Sequence, residues 1–365
     1  MSMHPLYGHY EARRRLARAI ARGHLPQVIL ISGDGGVGKQ RLGLWLGQLL
    51  LCANPGEEPC GECRSCRLIV GLGHPDLHWI IPIPRPKASD ADRQVDEAAA
   101  ALAQAVTERR GAPLYQPPDG MATHGIATAR VILQRASLTP VEGRKKVFLI
   151  GEADRLVPQE SSQEAANALL KMLEEPPQDT VFVLTTVDRN RLLPTIRSRA
   201  APLRLGRLPD DEVARFLGKE LPDLAADEGE VARRTSRARG SIGLALRGDD
   251  PDAAKARDLA EAFLKAALAP GHLRLFERAL AQNPWSARGD FTAMLDAVAE
   301  ALNDAAREAL GHAPVGPVPV VLRGRPLRAL VRAAAGVRRT RESAQGNVNP
   351  QLLVASLGAE LAETL

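Results

Sequence analysis

The sequence predicts an α/β protein: a phosphate-binding core built on a parallel sheet, then a small helical lid, then an all-helical domain. Three observations carry that expectation. Short β-branched runs alternate with helical stretches as far as Leu208, which implies βαβ units and a parallel sheet covered on both faces. A glycine-rich run sits between the first strand and the helix after it, Gly33-Asp34-Gly35-Gly36-Val37-Gly38-Lys39-Gln40, where a phosphate loop belongs. Beyond Leu208 the strand signal stops, and helices separated by Gly and Pro breaks take over.

Taken in order, Val28 to Ser32 is a short apolar run closed by Gly33, hence a buried strand entering a loop. A helix is expected from Lys39 to about Leu51, and a strand from Leu77 to Ile81. An excursion follows at about 82–120, with Pro82, Pro84 and Pro86, an Ala-rich helix from about Asp90 to Arg110, then Pro113, Pro117 and Pro118. Alternation resumes with a helix from about Thr123 to Ser137, a strand from Lys146 to Ile150, a helix from Ser161 to Glu174 and a strand from Thr180 to Thr185. The resulting division is 1–207 for the nucleotide-binding core, 208–249 for the lid and 250–365 for the helical domain.

Composition sets the outer bounds. A chain of 365 residues exceeds one ordinary core, so two or three domains are expected. Only 3% of residues are aromatic, which leaves Ala, Leu and Val to build the core and favours helices. No apolar run approaches a membrane span and the N-terminus lacks a signal-peptide pattern, so a cytoplasmic protein without a membrane partner is expected. A net charge of +5 is compatible with nucleic acid nearby but too modest to decide anything.

The loop has a residue that does not belong. Its glycines let backbone N–H groups cradle phosphates and Lys39 would reach the terminal ones, but the last position should be a Ser or Thr whose hydroxyl ligates Mg²⁺. Here it is Gln40. The strand Val147 to Ile150 should end in Asp-Glu, the Asp holding the metal and the Glu orienting the attacking water. The sequence reads Gly151-Glu152, with Asp154 displaced from the strand end. Phosphoryl transfer depends on metal-assisted positioning and charge stabilisation, so intrinsic hydrolysis should suffer severely. Binding of ATP or ADP stays open, since Gly33 to Lys39 could still hold phosphate. Separately, all four cysteines fall in one stretch, Cys52-x7-Cys60-x2-Cys63-x2-Cys66, a spacing that fits a closed, structural tetrahedral zinc site.

The run Ala166-Asn167-Ala168-Leu169-Leu170-Lys171-Met172-Leu173-Glu174-Glu175-Pro176-Pro177 resembles the signature of bacterial clamp-loader subunits, the AAA+ proteins that open the sliding clamp and place it on primed DNA. The resemblance covers Gly8 to about Leu205 by motif and the remaining helices by architecture. It implies an AAA+ P-loop core with a four-cysteine zinc module at 52–66, and a C-terminal helical collar that holds subunits in a ring. Thr185 would lie in the sensor 1 region, and Gly243 stands where the lid's sensor 2 arginine would be. Ser198-Arg199 matches the motif whose arginine enters a neighbour's ATP site, so Arg199 is the expected arginine finger, worth on the order of 10³ to 10⁵ in rate in NTPases. Asn347-Val348-Asn349-Pro350-Gln351-Leu352-Leu353 resembles the last collar helix.

Together these imply a subunit of the replicative DNA polymerase III holoenzyme with little ATPase of its own and no polymerase activity. Its partners would be gamma/tau and delta subunits, with the sliding clamp and primed DNA reached through the complex. The rival expectations are an active gamma/tau-like ATPase using Glu152 and Asp154, and a zinc-containing AAA+ scaffold outside replication. A basic helical face, Arg325, Arg328, Arg332 and Arg339, opposes Leu327, Leu330, Val331 and Ala334; such a face is either solvated or a contact for DNA or an acidic partner.

Overall fold

The computed structural model describes residues 4–111, 122–157, 163–247, 251–271, 273–282, 289–314, 316–344 and 348–365. Pro113, Pro117, Pro118, Ser161 and Asn347 lie outside the described residues. The chain divides into two compact units, Met1–Arg247 and Gly248–Leu365.

The first unit begins with α1 (Tyr10–Ala21), β1 (Val28–Ser32), α2 (Lys39–Leu51), α3 (Arg64–Val70) and β2 (Leu77–Ile80). It continues with α4 (Ala91–Arg109), α5 (Ile126–Ser137), β3 (Lys146–Ile150), α6 (Glu164–Glu174), β4 (Thr180–Thr186), α7 (Pro194–Arg199) and β5 (Ala201–Arg204). The strands form one parallel sheet in the order β2-β3-β4-β1-β5. β1, β3 and β4 are buried along their whole length, as strands covered on both faces must be. Their centre is aromatic: Phe148 stacks on Phe182 with ring centroids 5.1 Å apart.

Some elements were not marked by sequence pattern, α1, α3, α7 and β5 among them. α1 is charge-rich, and β5 is an edge strand of four residues that contains Pro202, a residue tolerated only where a strand has a free side. One boundary is corrected. Thr123 does not start a helix; it pairs with Ile83 in an isolated antiparallel bridge, through N–H···O bonds of 2.9 and 3.2 Å. That bridge pinches the neck of the excursion, and α5 starts only after Gly125. Within the excursion, α4 is capped by Asp90, whose carboxylate accepts from the Arg93 N–H, and it buries Val95, Ala98, Leu102 and Ala105, one stripe at helical spacing.

Lys146 opens β3 from a buried position and donates to the carbonyl oxygens of Ala136, at 2.7 Å, and Leu138. Those acceptors are at the C-terminal end of α5, where helix carbonyls lack partners. Where a lid is expected, the first unit ends in α8 (Asp210–Glu220), α9 (Pro222–Ala225), α10 (Glu228–Ala238) and α11 (Ile242–Arg247), held by their own cluster of Leu208, Val213, Phe216, Leu217, Ala238 and Ala245.

The second unit contains α12 (Pro251–Ala267), α13 (Leu273–Ala281), α14 (Asp290–Ala309), α15 (Leu327–Ser343) and α16 (Pro350–Thr364). Phe263, Phe291, Leu295, Leu330, Val337 and Leu361 are among its buried core. The expected faces of α15 need amendment. Val331 is exposed rather than packed, beside Arg328 and Arg332, whereas Arg339 pairs with Glu360 and Arg325 donates to the Leu365 oxygen. Part of the basic face is therefore spent on the unit's own packing.

Candidate functional site

The parallel sheet brings the carboxyl ends of β1, β4 and β3 side by side, the edge at which ligands bind in open α/β sheets. Register places Ser32 opposite Thr186 and Ile150 opposite Leu184, so the loop after β1 and Gly151 after β3 flank the end of β4.

In the loop, Gly36 and Gly38 adopt positive φ, 74° and 95°, which glycine reaches without steric cost. Lys39 is buried and turned back on its own loop, donating to the carbonyl oxygens of Gly33 at 2.9 Å and Asp34 at 2.7 Å. Burial pulls its ammonium down to about 8, against the opposing pull of Asp154, Asp34 and Glu152. Val37 accepts from His9 Nε2 at 2.6 Å, and Asp34 pairs with Arg207 at 2.7 Å.

The lid closes on the same loop. Ser241 Oγ donates to Gly35 O at 3.0 Å and the Gly243 N–H to Gly36 O at 3.0 Å. A Cβ on Gly243 would stand 2.6 Å from Gly36 Cα. Where the sensor 2 arginine was expected to be missing, the backbone contact leaves no room for any side chain.

Gln40 and Gly151 account for each other. A Cβ at Gly151 would stand 2.5 Å from Gln40 Oε1, so the amide lies in the space that the strand-end aspartate would fill. Trp79 Nε1 donates to Gln40 Oε1 at 2.8 Å, and Arg109 Nη1 does so at 3.2 Å. The Arg109 guanidinium also lies over the Trp79 ring, 4.5 Å from its centroid. A Mg²⁺ ion therefore does not fit here: the hydroxyl and carboxylate that would hold it are gone, and an amide stands in their place. Neither Trp79 nor Arg109 could be found from sequence, since they lie 39 and 69 residues from Gln40.

Glu152 adopts a left-handed backbone, φ 51°, and pairs with Arg155 at 2.7 Å. Its N–H donates to Thr185 Oγ1 at 3.2 Å, which is where the structure places the sensor 1 candidate. Asp154 is buried, accepting from Thr186 Oγ1 at 2.8 Å and lying 3.7 Å from Arg191. Asp154 lies in the short 3-10 turn after Glu152, and its carboxylate is engaged by Thr186.

Arg199 ends α7 and is partly exposed. Its Nη2 lies 2.9 Å from Glu174 Oε2 and its Nη1 donates to Thr195 O at 2.9 Å. Glu174 belongs to the signature run, whose role there no sequence pattern revealed.

Apart from this edge, the Sγ atoms of Cys52, Cys60, Cys63 and Cys66 all lie within 4.8 Å of one another. The N–H groups of Cys60, Cys63 and Cys66 point at the sulfurs of Cys52, Cys60 and Cys63, at 3.3, 3.4 and 3.4 Å. Backbone N–H groups, Ala53's foremost, hold the Cys63 thiol down to about 6. Four sulfurs so placed and so solvated by amides fit a metal ion such as zinc, with all four positions taken by protein.

The family described as "DNA polymerase III, delta subunit" matches residues 8–209, more than half of the chain. The DNA polymerase III subunit delta' of Bacillus subtilis is 31% identical over 188 residues, covering 52% of this chain and 44% of that one. Subunit delta' of Escherichia coli is 30% identical over 226 residues, 62% of this chain and 54% of that one. The chain thus spans about half the length of these relatives. A gamma-subunit-related protein of Thermotoga maritima aligns over 98% of this chain and 99% of its own, at 18% identity and a TM-score of 0.38. On the match across residues 8–209 and the delta' relatives that share it, this chain belongs to the delta-prime family of DNA polymerase III clamp-loader subunits.

Proposed function

We propose that the chain serves in a clamp loader as the subunit that stimulates a neighbour's ATPase while hydrolysing little ATP itself. The observation that carries this is the pairing of Gln40 with Gly151: the amide takes the space of one metal-holding group and stands where the other was lost. Charge stabilisation of a departing phosphate has no metal to work through at this loop, and the lid offers Gly243 in place of an arginine. Arg199 supports the other half of the reading. It sits at a helix end, partly exposed and held by an acid on the surface rather than buried in its own site, so a neighbour's phosphate can take the acid's place.

Under this reading the partners are gamma/tau and delta subunits in a hetero-oligomeric ring, with the clamp and primed DNA engaged through the assembly in the cytoplasm. The four cysteines would hold a structural zinc ion, and Gly33 to Lys39 could take ATP or ADP phosphate without the metal. The residues placed in the site are Arg199 in trans, the loop from Gly33 to Gln40, Glu152, Thr185, and the four cysteines; the division into core, lid and collar is that of 1–207, 208–249 and 250–365.

The test is DNA-stimulated ATPase of a complex reconstituted with gamma/tau and delta subunits. Arg199→Ala is expected to reduce turnover on the order of 10³-fold at the site it serves, while Lys39→Ala leaves the complex unchanged and the isolated chain is inactive. Lys39-dependent turnover by the isolated chain would instead establish the ATPase reading.

A further inference from the structure

We infer that the cation position of this loop is filled from within the chain: the Arg109 guanidinium, carried in by α4, takes the place a divalent metal would have, so that docking of the end of α4 and binding of a metal-nucleotide compete. The inference rests on the proposed loss of ATPase, and adds the agent that enforces it.

Gln40 Oε1 has two lone pairs, and Trp79 Nε1 and Arg109 Nη1 each donate to it. No lone pair remains to ligate a metal. A positive charge already stands at hydrogen-bond distance from the atom that bridges both lost metal-holding positions, so a divalent ion would meet like charge as well as a spent ligand. Among the contacts that fix the guanidinium are Gln40 and the Trp79 ring beneath it. Arg109 is 8% exposed and Trp79 is 9% exposed. α4 packs on α5 and ends at Arg109, so its last residue reaches Gln40, the second residue of α2. The neck bridge between Ile83 and Thr123 returns the chain to the same edge, where His124 Nε2 lies 2.7 Å from Gly151 O. Arg109 and the neck of the excursion thus both reach the surroundings of Gly151.

The experiment uses the full chain and two readouts. Amide hydrogen exchange should accelerate together in α4 and at the start of α2 in Arg109→Ala, whereas Arg93→Ala, on the exposed start of α4, leaves both unchanged. Gln40→Glu keeps the shape and adds a charge facing Arg109, so exchange in α4 should slow; this variant answers the question even if Arg109→Ala fails to fold. Mn²⁺ with ATP is then titrated against Gln40→Thr/Gly151→Asp, with and without Arg109→Ala. The metal-holding pair should gain Mn²⁺-dependent ATP affinity by about tenfold or more, a difference of about 1.4 kcal/mol, only when Arg109 is removed. Equal affinities with and without Arg109, whether high or low, overturn the inference, as does a Gln40→Glu chain whose α4 exchanges no more slowly. Failure here leaves the Arg199 reading untouched, because that reading is tested on the neighbour's turnover in the complex.

Discussion

Arg199 and Glu174 form the kind of exposed ion pair that contributes little to stability, about 0.2–1 kcal/mol. The pair instead orients the side chain: with Thr195 O accepting from the other nitrogen, the guanidinium is held at the end of α7. Glu174→Ala is therefore expected to lower the complex's turnover only a few-fold, the scale of an exposed pair, with no measurable change in the unfolding midpoint of the isolated chain. A loss as large as that of Arg199→Ala would mean that Glu174 acts on the neighbour directly. The glycine at 243 works in the opposite sense, since its value lies in having no side chain. Gly243→Ala forces a Cβ to within 2.6 Å of Gly36, and overpacking of this kind costs about 1–3 kcal/mol. Urea unfolding should register that loss, and exchange of the residue-243 amide, which donates to Gly36 O, should accelerate.

The four-cysteine module is an element with little apolar burial of its own, so the proposed zinc ion would be its main tie. Residues 53–62 are largely exposed, and apolar burial near it is confined to residues such as Ile69 and Leu72 on and after α3. α3 begins at Cys63, which caps the helix by accepting from the Cys66 N–H. Glu58 ties the loop to the sheet side: it accepts from Trp45 Nε1 at 2.7 Å and pairs with Arg13 at 2.5 Å. Removing the metal with a strong chelator, or substituting Cys63→Ser, should loosen the stretch from Cys52 to Val70 while the sheet stays folded. The expected readout on chelation is a rise in reactive thiols to all four cysteines, with fast amide exchange confined to α3 and its approach loop. Global unfolding on chelation would show that the module supports the sheet rather than being supported by it.

At the scale of the whole molecule, the core unit is acid-sensitive by construction. Burial pulls His78 down to about 4, and His124 likewise to about 4, from the usual 6.5. Between pH 6.5 and 4 the unfolded chain thus binds more protons at these sites than the folded one, so stability is present above 6.5 and is lost as pH falls toward 4. Each histidine is expected to remove about 2 kcal/mol by about pH 5. Denaturant unfolding at neutral and acid pH checks the sign, and His78→Phe should reduce the pH dependence without abolishing it, since burial lowers His124, His9 and His74 as well. Stability that is flat across this window would show that both rings take up protons in the folded chain as readily as in the unfolded one. Among the described residues, no helix is long and apolar enough to cross a membrane.

What the sequence alone determined is chemistry carried by neighbours in the chain: the phosphate loop, the cysteine spacing, the clamp-loader signature and the residues missing from the metal site. Such motifs are legible because their groups meet within a turn, a loop or one helix start. The strand-helix alternation was legible for the same reason, apart from short elements such as α3 and β5 and the charge-rich α1, whose patterns say little until the sheet accepts them. Tertiary structure decided the rest. What surrounds Gln40 depended on Trp79, Arg109 and Gly151, which meet only because the sheet order sets β2 beside β3 and α4, packed on α5, ends next to them. Glu174 at Arg199 and Gly243 at Gly36 are likewise long-range contacts. No local pattern encodes them, because the energy that brings them together is burial of the whole core rather than anything in their own segments.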